Sequence, residues 1–190
     1  MDTFRQILTQ LNWIDILVIV TIITASYKGS QAGFSAEIFK LTGLVLSIYL
    51  SLHYFSQASD LLTQYAPVIG MIFADFFCFL TIAVLAYLSM AILRGVFTKF
   101  VKAEATAVLD RWGGLVLGAA KGFLFISLLF LLFHLSSAPY LRNSLKKSRV
   151  GNSLTAIDVK VYEFIFNGLV SKFSPNEQLN QSIKEVLEEE

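Results

Sequence analysis

Besides Lys40, four charged side chains lie inside long apolar stretches of this 190-residue sequence, and these four are the residues best placed to do chemistry. They are Asp15, Glu37, Asp75 and Lys121. An isolated lysine at the centre of a membrane helix costs about 2.5–3.5 kcal/mol on insertion scales, so a carboxylate partner is expected. We predict that Lys121 pairs with Glu37, Asp75 or Asp15 in an intramembrane polar centre.

Two interpretations of this polar centre are open. In the first, Lys121 and a carboxylate form part of a path for an ion, a proton or a substrate. In the second, they form a structural ion pair that fixes the register of the helices, within one chain or between subunits. The second is favoured, because a single pair is sparse for a transport path.

The remaining reactive side chains predict no catalytic or metal site. Cys78 lies within an apolar run, where a packing role is expected. His53 and His134 lie near the ends of separate apolar runs, without the spacing of metal ligands. The sequence also lacks the motifs of serine hydrolases, zinc proteases and phosphate-binding loops. We therefore predict no catalytic residue, metal or cofactor, and an enzyme acting in the membrane is the least favoured class.

The composition predicts a membrane protein. Hydrophobic residues make up 55% of the chain and charged residues 15%, with a mean hydropathy of +0.64. Soluble domains average about 45–50% apolar and about 25% charged residues, so lipid is the expected surrounding for so much apolar surface. The 15 basic and 14 acidic residues nearly cancel, and we expect no nucleic-acid partner.

Four apolar segments are long enough to cross about 30 Å of hydrocarbon, which takes about 20 helical residues. They are residues 11–27, 34–55, 67–93 and 112–135. These segments do not alternate as barrel strands do, so helices must satisfy the backbone in lipid. The sequence predicts an all-α polytopic membrane protein with four transmembrane helices. A cleaved signal peptide is the alternative for the first segment, although Asp15 and the weakly basic start argue against it.

Charge and periodicity predict the segments that flank the spans. Residues 1–10 form an N-terminal extension to a membrane domain of residues 11–138. Residues 94–109 are predicted to form an interfacial helix, with a solvated basic loop as the alternative. Residues 139–173 are predicted to form a basic turn and an amphipathic helix, and residues 174–190 an acidic tail helix. The charged residues expected at the interface are Arg94, Lys99, Lys102, Asp110 and Arg111.

The distribution of basic residues predicts an orientation, because cytoplasmic loops are enriched in Lys and Arg. The link between the second and third spans contains neither residue, whereas residues 94–111 contain four. Both observations place the two termini on the outer side of the membrane. The basic cluster after Pro139 argues for the opposite orientation.

Glycines four residues apart predict close packing of the fourth span, since small residues let helix backbones approach. The glycines of that span are Gly114, Gly118 and Gly122. Gly29 and Gly33 repeat the spacing, with loop geometry as their alternative role. At 100° per residue, Lys121 shares a stripe with Gly118, so we expect this lysine on the packing face and not toward lipid.

Three motifs together resemble the colicin V production protein (CvpA) family of bacteria. They are Trp13-x-Asp15, Gly29-x3-Gly33-Phe34-x2-Glu37 and Asp110-Arg111-x2-Gly114-x3-Gly118-x2-Lys121-Gly122. The resemblance covers roughly residues 12–170. The sequence departs from the family pattern at residues 30–32, where members commonly show a basic residue, and in its N-terminal extension and acidic tail.

This resemblance implies a four-span bacterial inner-membrane protein linked to colicin V production, envelope homeostasis and resistance to membrane-active stress. Relatives in which a similar membrane region precedes a secreted serine protease imply a carboxyl end outside the cytoplasm. We expect a non-enzymatic component that supports toxin production or export through helix-packed homo-oligomers or other envelope proteins. The alternative is a small oligomeric channel or transporter that uses the pair of Lys121 and a carboxylate.

Overall fold

The computed structural model describes residues 12–100, 107–136, 138–148, 151–174 and 177–183, and no strand occurs in these ranges. Four of the helices are long and apolar enough to cross a membrane. The predicted all-α fold with four spans is therefore confirmed. The elements are α1 Trp13–Ala32, α2 Phe34–Tyr65, α3 Met71–Phe100, α4 Ala107–Leu135, α5 Pro139–Lys147, α6 Gly151–Ile165, a π-helical turn Phe166–Val170 and α7 Ser171–Phe173.

The four long helices extend beyond the apolar segments read from the sequence. Helix α2 continues to Tyr65 and covers most of the residues expected to link the second and third spans. Its 32 residues are about 48 Å long, so α2 must tilt or project beyond about 30 Å of hydrocarbon. Helix α3 continues to Phe100, so the first part of the expected interfacial helix is the end of α3. The next six residues of that expected helix, 101–106, and the extension 1–10 lie outside the described ranges.

The long helices pack as two pairs that meet through α2 and α4. Helix α1 packs chiefly against α4, and α3 packs chiefly against α2, while α1 makes few contacts with its sequence neighbour α2. Because α1 and α2 are joined directly at Gly33, they run in opposite directions. We call the end of the bundle near this residue the Gly33 end, and the opposite end, where α1 begins, the Trp13 end.

Two apolar clusters form the core, and both lie toward the Trp13 end. The first joins α1 and α4 to the short helices that follow, through Ile14, Val18, Ile126, Phe130, Leu145 and Leu154. The second joins α2, α3 and α4 to α6 and the last described residues, through Leu44, Ile48, Leu52, Phe55, Phe79, Leu131, Leu135, Tyr162 and Ile183. Outward-facing side chains such as Ile23 and Leu85 are more than half exposed, as expected for a surface in contact with lipid.

Helix α6 packs against α4 and α2 of its own chain. Its buried positions are Leu154, Thr155, Asp158 and Tyr162, whereas Leu169 and Phe173 beyond it are exposed. The amphipathic helix expected from residues 139–173 therefore has the membrane bundle itself as its partner. Of the expected tail helix, residues 177–180 have no regular structure and Ile183 is buried in the core.

The crossing of α1 and α4 brings backbone against backbone. A Cβ atom at Gly118 would lie 2.5 Å from the carbonyl oxygen of Ala25, and one at Gly29 would overlap the carbonyl oxygen of Gly114. At Gly122 an added Cβ would lie 2.9 Å from the Cβ of Ala25. Since the first two obstacles are backbone atoms, neither helix can move aside without opening the crossing.

Gly118→Ala is expected to destabilise the bundle by about 1–3 kcal/mol, because an added methyl group in a packed contact forces the helices apart. The matched control is Gly95→Ala in α3, where an added Cβ meets no atom within 4 Å. Thermal unfolding of both purified variants in mild detergent measures the difference. An equal midpoint for Gly118→Ala and Gly95→Ala would contradict a close crossing of α1 and α4.

Candidate functional site

A buried carboxylate with two lysine partners lies near the Gly33 end. Glu37 is 0% exposed, and its Oε1 accepts a 2.5 Å hydrogen bond from Nζ of Lys40. Its Oε2 accepts a hydrogen bond from Nζ of Lys121. The lysine side chains are only 26% and 18% exposed, respectively. We call Glu37, Lys40 and Lys121 the ion cluster; it carries one net positive charge and joins α2 to α4.

The two long helices deliver these groups from different heights in the bundle. Glu37 lies in the first turn of α2, where the helix dipole favours a negative charge. Lys121 lies eleven residues after Asp110 on α4, which is about 16 Å along the axis. The Lys121 side chain must therefore run back toward the Gly33 end to reach Glu37, as long basic side chains do in membranes.

The corner between α1 and α2 is built around the carboxylate of Asp110. Its Oδ1 accepts a 2.7 Å hydrogen bond from the backbone nitrogen of Phe34, one of the free donors at the start of α2. Gly33 has a φ of 84°, which favours glycine, and a Cβ there would overlap the Asp110 carboxylate. Gly29 and Gly33 on one side, and Asp110, Gly114 and Gly118 on the other, thus form one continuous contact of α4 with the α1–α2 corner.

Of the three carboxylates predicted as partners for Lys121, the structure brings only Glu37 to it. Asp15 lies at the Trp13 end, where it accepts hydrogen bonds from the backbone nitrogen of Asn12 at 3.0 Å and from Oγ of Ser148 at 2.6 Å. Asp75 is half-buried on α3 and makes no ion pair or hydrogen bond within the described ranges.

The residues predicted for the membrane interface are only partly described. Arg111 is exposed in the first turns of α4, and Arg94 is half-buried near the end of α3. The side chains of Lys99 and Lys102 lie outside the described part of the chain. Together with Asp110, the visible charges lie at the Gly33 end, beside the ion cluster.

Asp158 on α6 is a buried acid that the sequence reasoning missed. It is 0% exposed, and neither carboxyl oxygen has a hydrogen-bond partner among the described residues. The nearby Ser127 hydroxyl donates a 2.5 Å hydrogen bond to the carbonyl of Leu154 instead. Burial raises the pKa of Asp158 to about 8, against a partial opposing effect of Ser127. Its spacing of four residues from both Leu154 and Tyr162, on the apolar stripe, was the available signal.

A second polar cluster ties the end of the chain to α2. Nδ1 of His53 lies 3.0 Å from the hydroxyl oxygen of Tyr162, which accepts a 3.1 Å hydrogen bond from the backbone nitrogen of Asn180. The Asn180 side chain donates to the carbonyl of Leu52 at 2.8 Å. His53 is therefore a buried packing residue, and no local pattern could have indicated partners more than 100 positions away.

The described ranges hold neither a group of metal ligands nor an open carboxylate at the ion cluster. No group of three or more His, Cys, Asp or Glu side chains that could hold a metal ion occurs there. Both oxygens of Glu37 are already engaged by lysines, and the carboxylate is closed to solvent. The ion cluster is thus suited to holding helices together more than to binding a substrate directly.

Four apolar spans that enclose an ion cluster define a multi-pass helical membrane protein. A family model described as colicin V production protein matches residues 14–158, which is most of the chain. The chain belongs to the colicin V production protein family, and the resemblance read from its motifs is confirmed. No curated protein and no solved structure gives a significant match.

Glu37→Gln is expected to destabilise the protein more than Lys121→Met does. The first change leaves two half-buried lysines without a carboxylate, whereas after the second Lys40 still neutralises Glu37. Losing a partner of a buried ion pair costs on the order of 3–5 kcal/mol, and the residual exposure of the lysines places the effect toward the low end. Thermal unfolding in detergent, with the double variant to complete the cycle, measures the order; the reverse order would contradict the described pairing.

Asp158→Asn is expected to remove a loss of stability that the parent protein shows as pH rises. The unfolded carboxyl ionises near its ordinary pKa of 3.8, while the folded one stays protonated up to about pH 8. The contribution of Asp158 to the free energy of unfolding is therefore fully present below about pH 4 and is lost progressively as the pH rises from about 4 to about 8. The thermal unfolding midpoint of the parent should fall between pH 5 and pH 8.5, and that of the variant should fall by several degrees less. An equal fall in the two proteins would show that Asp158 is solvated.

Proposed function

We propose that this protein is a non-catalytic component of a bacterial inner membrane that supports toxin production or export and envelope homeostasis. The observation that carries the proposal is the family match over residues 14–158. That region contains the corner between α1 and α2 at Gly33 and all three residues of the ion cluster. These positions include the motif residues on which the resemblance to the family rests. The proposed orientation places both termini on the periplasmic side.

The ion cluster supports a structural role in this function. Glu37 is saturated by Lys40 and Lys121, and the three groups connect α2 and α4 beside the glycine crossing. A charge pair of this kind fixes helix register, because any slip would leave a charge unpaired in a poorly hydrated site. We therefore assign Lys121 to register and not to a reaction.

Self-association is part of the proposal, and it would use the outward faces of the bundle. Helix α1 already covers the glycine face of α4, so Gly114, Gly118 and Gly122 are occupied within one chain. The apolar faces around Ile23 on α1 and Leu85 on α3 are more than half exposed and can contact another subunit or another envelope protein.

The second candidate function is a small oligomeric channel or transporter. One observation favours it: Lys121 retains some exposure and borders an open cleft between helices, so its ammonium group can exchange partners. Because four spans are few for a complete transporter, several copies of the chain would have to assemble to enclose a path. In this candidate, Lys121→Met would abolish ion flux in reconstituted vesicles while leaving the fold intact.

Complementation of a deletion strain tests the proposal. The deletion is expected to lower colicin V secretion and survival in bile salts, and the parent chain to restore both. Because the ion cluster is assigned to register, Lys121→Met should lose function in proportion to its loss from the membrane, measured by quantitative blotting. The control Lys172→Gln removes an exposed lysine outside the spans and should behave as the parent.

Two outcomes separate the candidates. A deletion without effect on secretion or survival would contradict the proposed function. Normal membrane abundance of Lys121→Met with complete loss of function, accompanied by lost flux in vesicles, would establish the channel or transporter instead.

A further inference from the structure

An apolar cleft of about 480 Å³ opens between α1 and α3, above a floor formed by α2 and α4. The cleft exists because α1 packs on α4 and α3 packs on α2, which leaves the outer helices of the two pairs apart. Its walls include Leu80, Val84 and Leu88 of α3, all of them exposed at the side of the bundle. In a bilayer, this opening faces acyl chains.

The charged groups of the cleft lie at the Gly33 end. Lys28 of α1 and Lys121 of α4 both line it there. Elsewhere the hydroxyl of Ser47 is engaged by the carbonyl of Ala83, and that of Thr24 by the carbonyl of Val20. The cleft is therefore apolar along its length and cationic at one end.

Among the described residues, basic side chains outnumber carboxylates at this end. Glu37 is the partner of both Lys40 and Lys121, and Lys28 forms no ion pair within the described ranges. Three lysines thus lie at the end that holds Glu37, while the carboxylate of Asp110 at the same end accepts a hydrogen bond from the start of α2. The imbalance suits an anion that contacts Lys28 and the open side of Lys121.

The cleft is long enough to hold an acyl chain of one membrane leaflet. From Lys121 to Leu132 the floor extends eleven residues along α4, or about 16 Å, and half of a hydrocarbon core is about 15 Å. Lys28 lies four residues, about 6 Å, before the end of α1, close to the depth of lipid headgroups. A chain that enters beside Lys28 would end near the middle of the bilayer.

We propose that this cleft binds an anionic phospholipid of the surrounding bilayer. The phosphate lies at Lys28 and Lys121, and one acyl chain lies along α3 and α4. Charge complementarity selects the headgroup, and an apolar cleft does not retain water, so a hydrocarbon chain fills it. The bound lipid fills the gap between the two helix pairs, which the side chains of the described residues leave open.

Lipid counting by native mass spectrometry tests the headgroup. The full chain is taken from nanodiscs with equal amounts of phosphatidylglycerol and phosphatidylcholine, and each bound lipid is identified. We expect one retained phosphatidylglycerol per chain, and Lys28→Gln should weaken this preference about fivefold, the usual effect of one basic residue at an anionic surface. The control Lys172→Gln, an exposed lysine far from the cleft lining, should keep it.

A second pair of variants tests the chain position without touching the lysines. Val84→Trp fills the cleft wall and should abolish lipid retention, whereas Leu85→Trp, on the neighbouring outward face, should leave it unchanged. A phosphatidylglycerol with a photoreactive group at the end of one acyl chain should label residues near Leu128 of the cleft floor, which lies ten residues, or about 15 Å, beyond Gly118 where α4 contacts Gly29.

Three results would overturn the proposal. Equal retention of the two lipids would show that charge does not select the headgroup. Equal effects of Val84→Trp and Leu85→Trp would show that the acyl chain does not lie in the cleft. A cross-link between two copies of the chain through Leu88→Cys, an exposed position of the cleft wall, in a Cys78→Ala background would show that self-association fills the cleft instead.

Discussion

The carboxylate of Glu37 lies fully buried between helices, and a charge in such a place persists only with cations beside it. Lys40 reaches it from the same helix, but Lys121 comes from α4 and must run back along the bundle. That approach requires α4 to lie close to the start of α2. The closeness depends on Gly33, which leaves room for the Asp110 carboxylate, and on the glycines that let α1 and α4 touch. The ion cluster, the α1–α2 corner and the crossing of α1 with α4 therefore depend on one another, because each requires α4 to lie close to the start of α2.

The two ends of the bundle are held by different forces. Ionic and glycine contacts dominate the Gly33 end, whereas the Trp13 end is closed by apolar clusters and hydrogen bonds. There Asp15 ties the start of α1 to Ser148, and Tyr162 joins His53 to Asn180. Because α1 is fastened at both ends to α4 and the helices that follow it, its separation from α3 is a fixed property of the fold. The open side of the bundle is a product of this arrangement.

Much of the fold follows from the sequence because lipid imposes simple rules on helix length and backbone satisfaction. The packing face of α4 was also predictable, since Gly118 and Lys121 share a stripe. The choice of Glu37 over Asp75 and Asp15 was not, because it depends on which end of each helix meets the lysine. Helix ends were underestimated where polar residues continue a helix, as between Ser56 and Tyr65 in α2. Asp158 escaped notice because hydropathy treats an acid as solvent-exposed, whatever its neighbours on the helix.

The family match ends at Asp158, in the middle of α6, yet the interior of this protein does not end there. Tyr162 and Ile183, both beyond that point, belong to the same apolar cluster as Leu52 and Leu131. The range that the family model matches is therefore shorter than the range that closes the interior of this protein. A fragment that ended at Asp158 would lack Tyr162 and Ile183, and the apolar side chains that these two residues cover on α2 and α4 would become exposed.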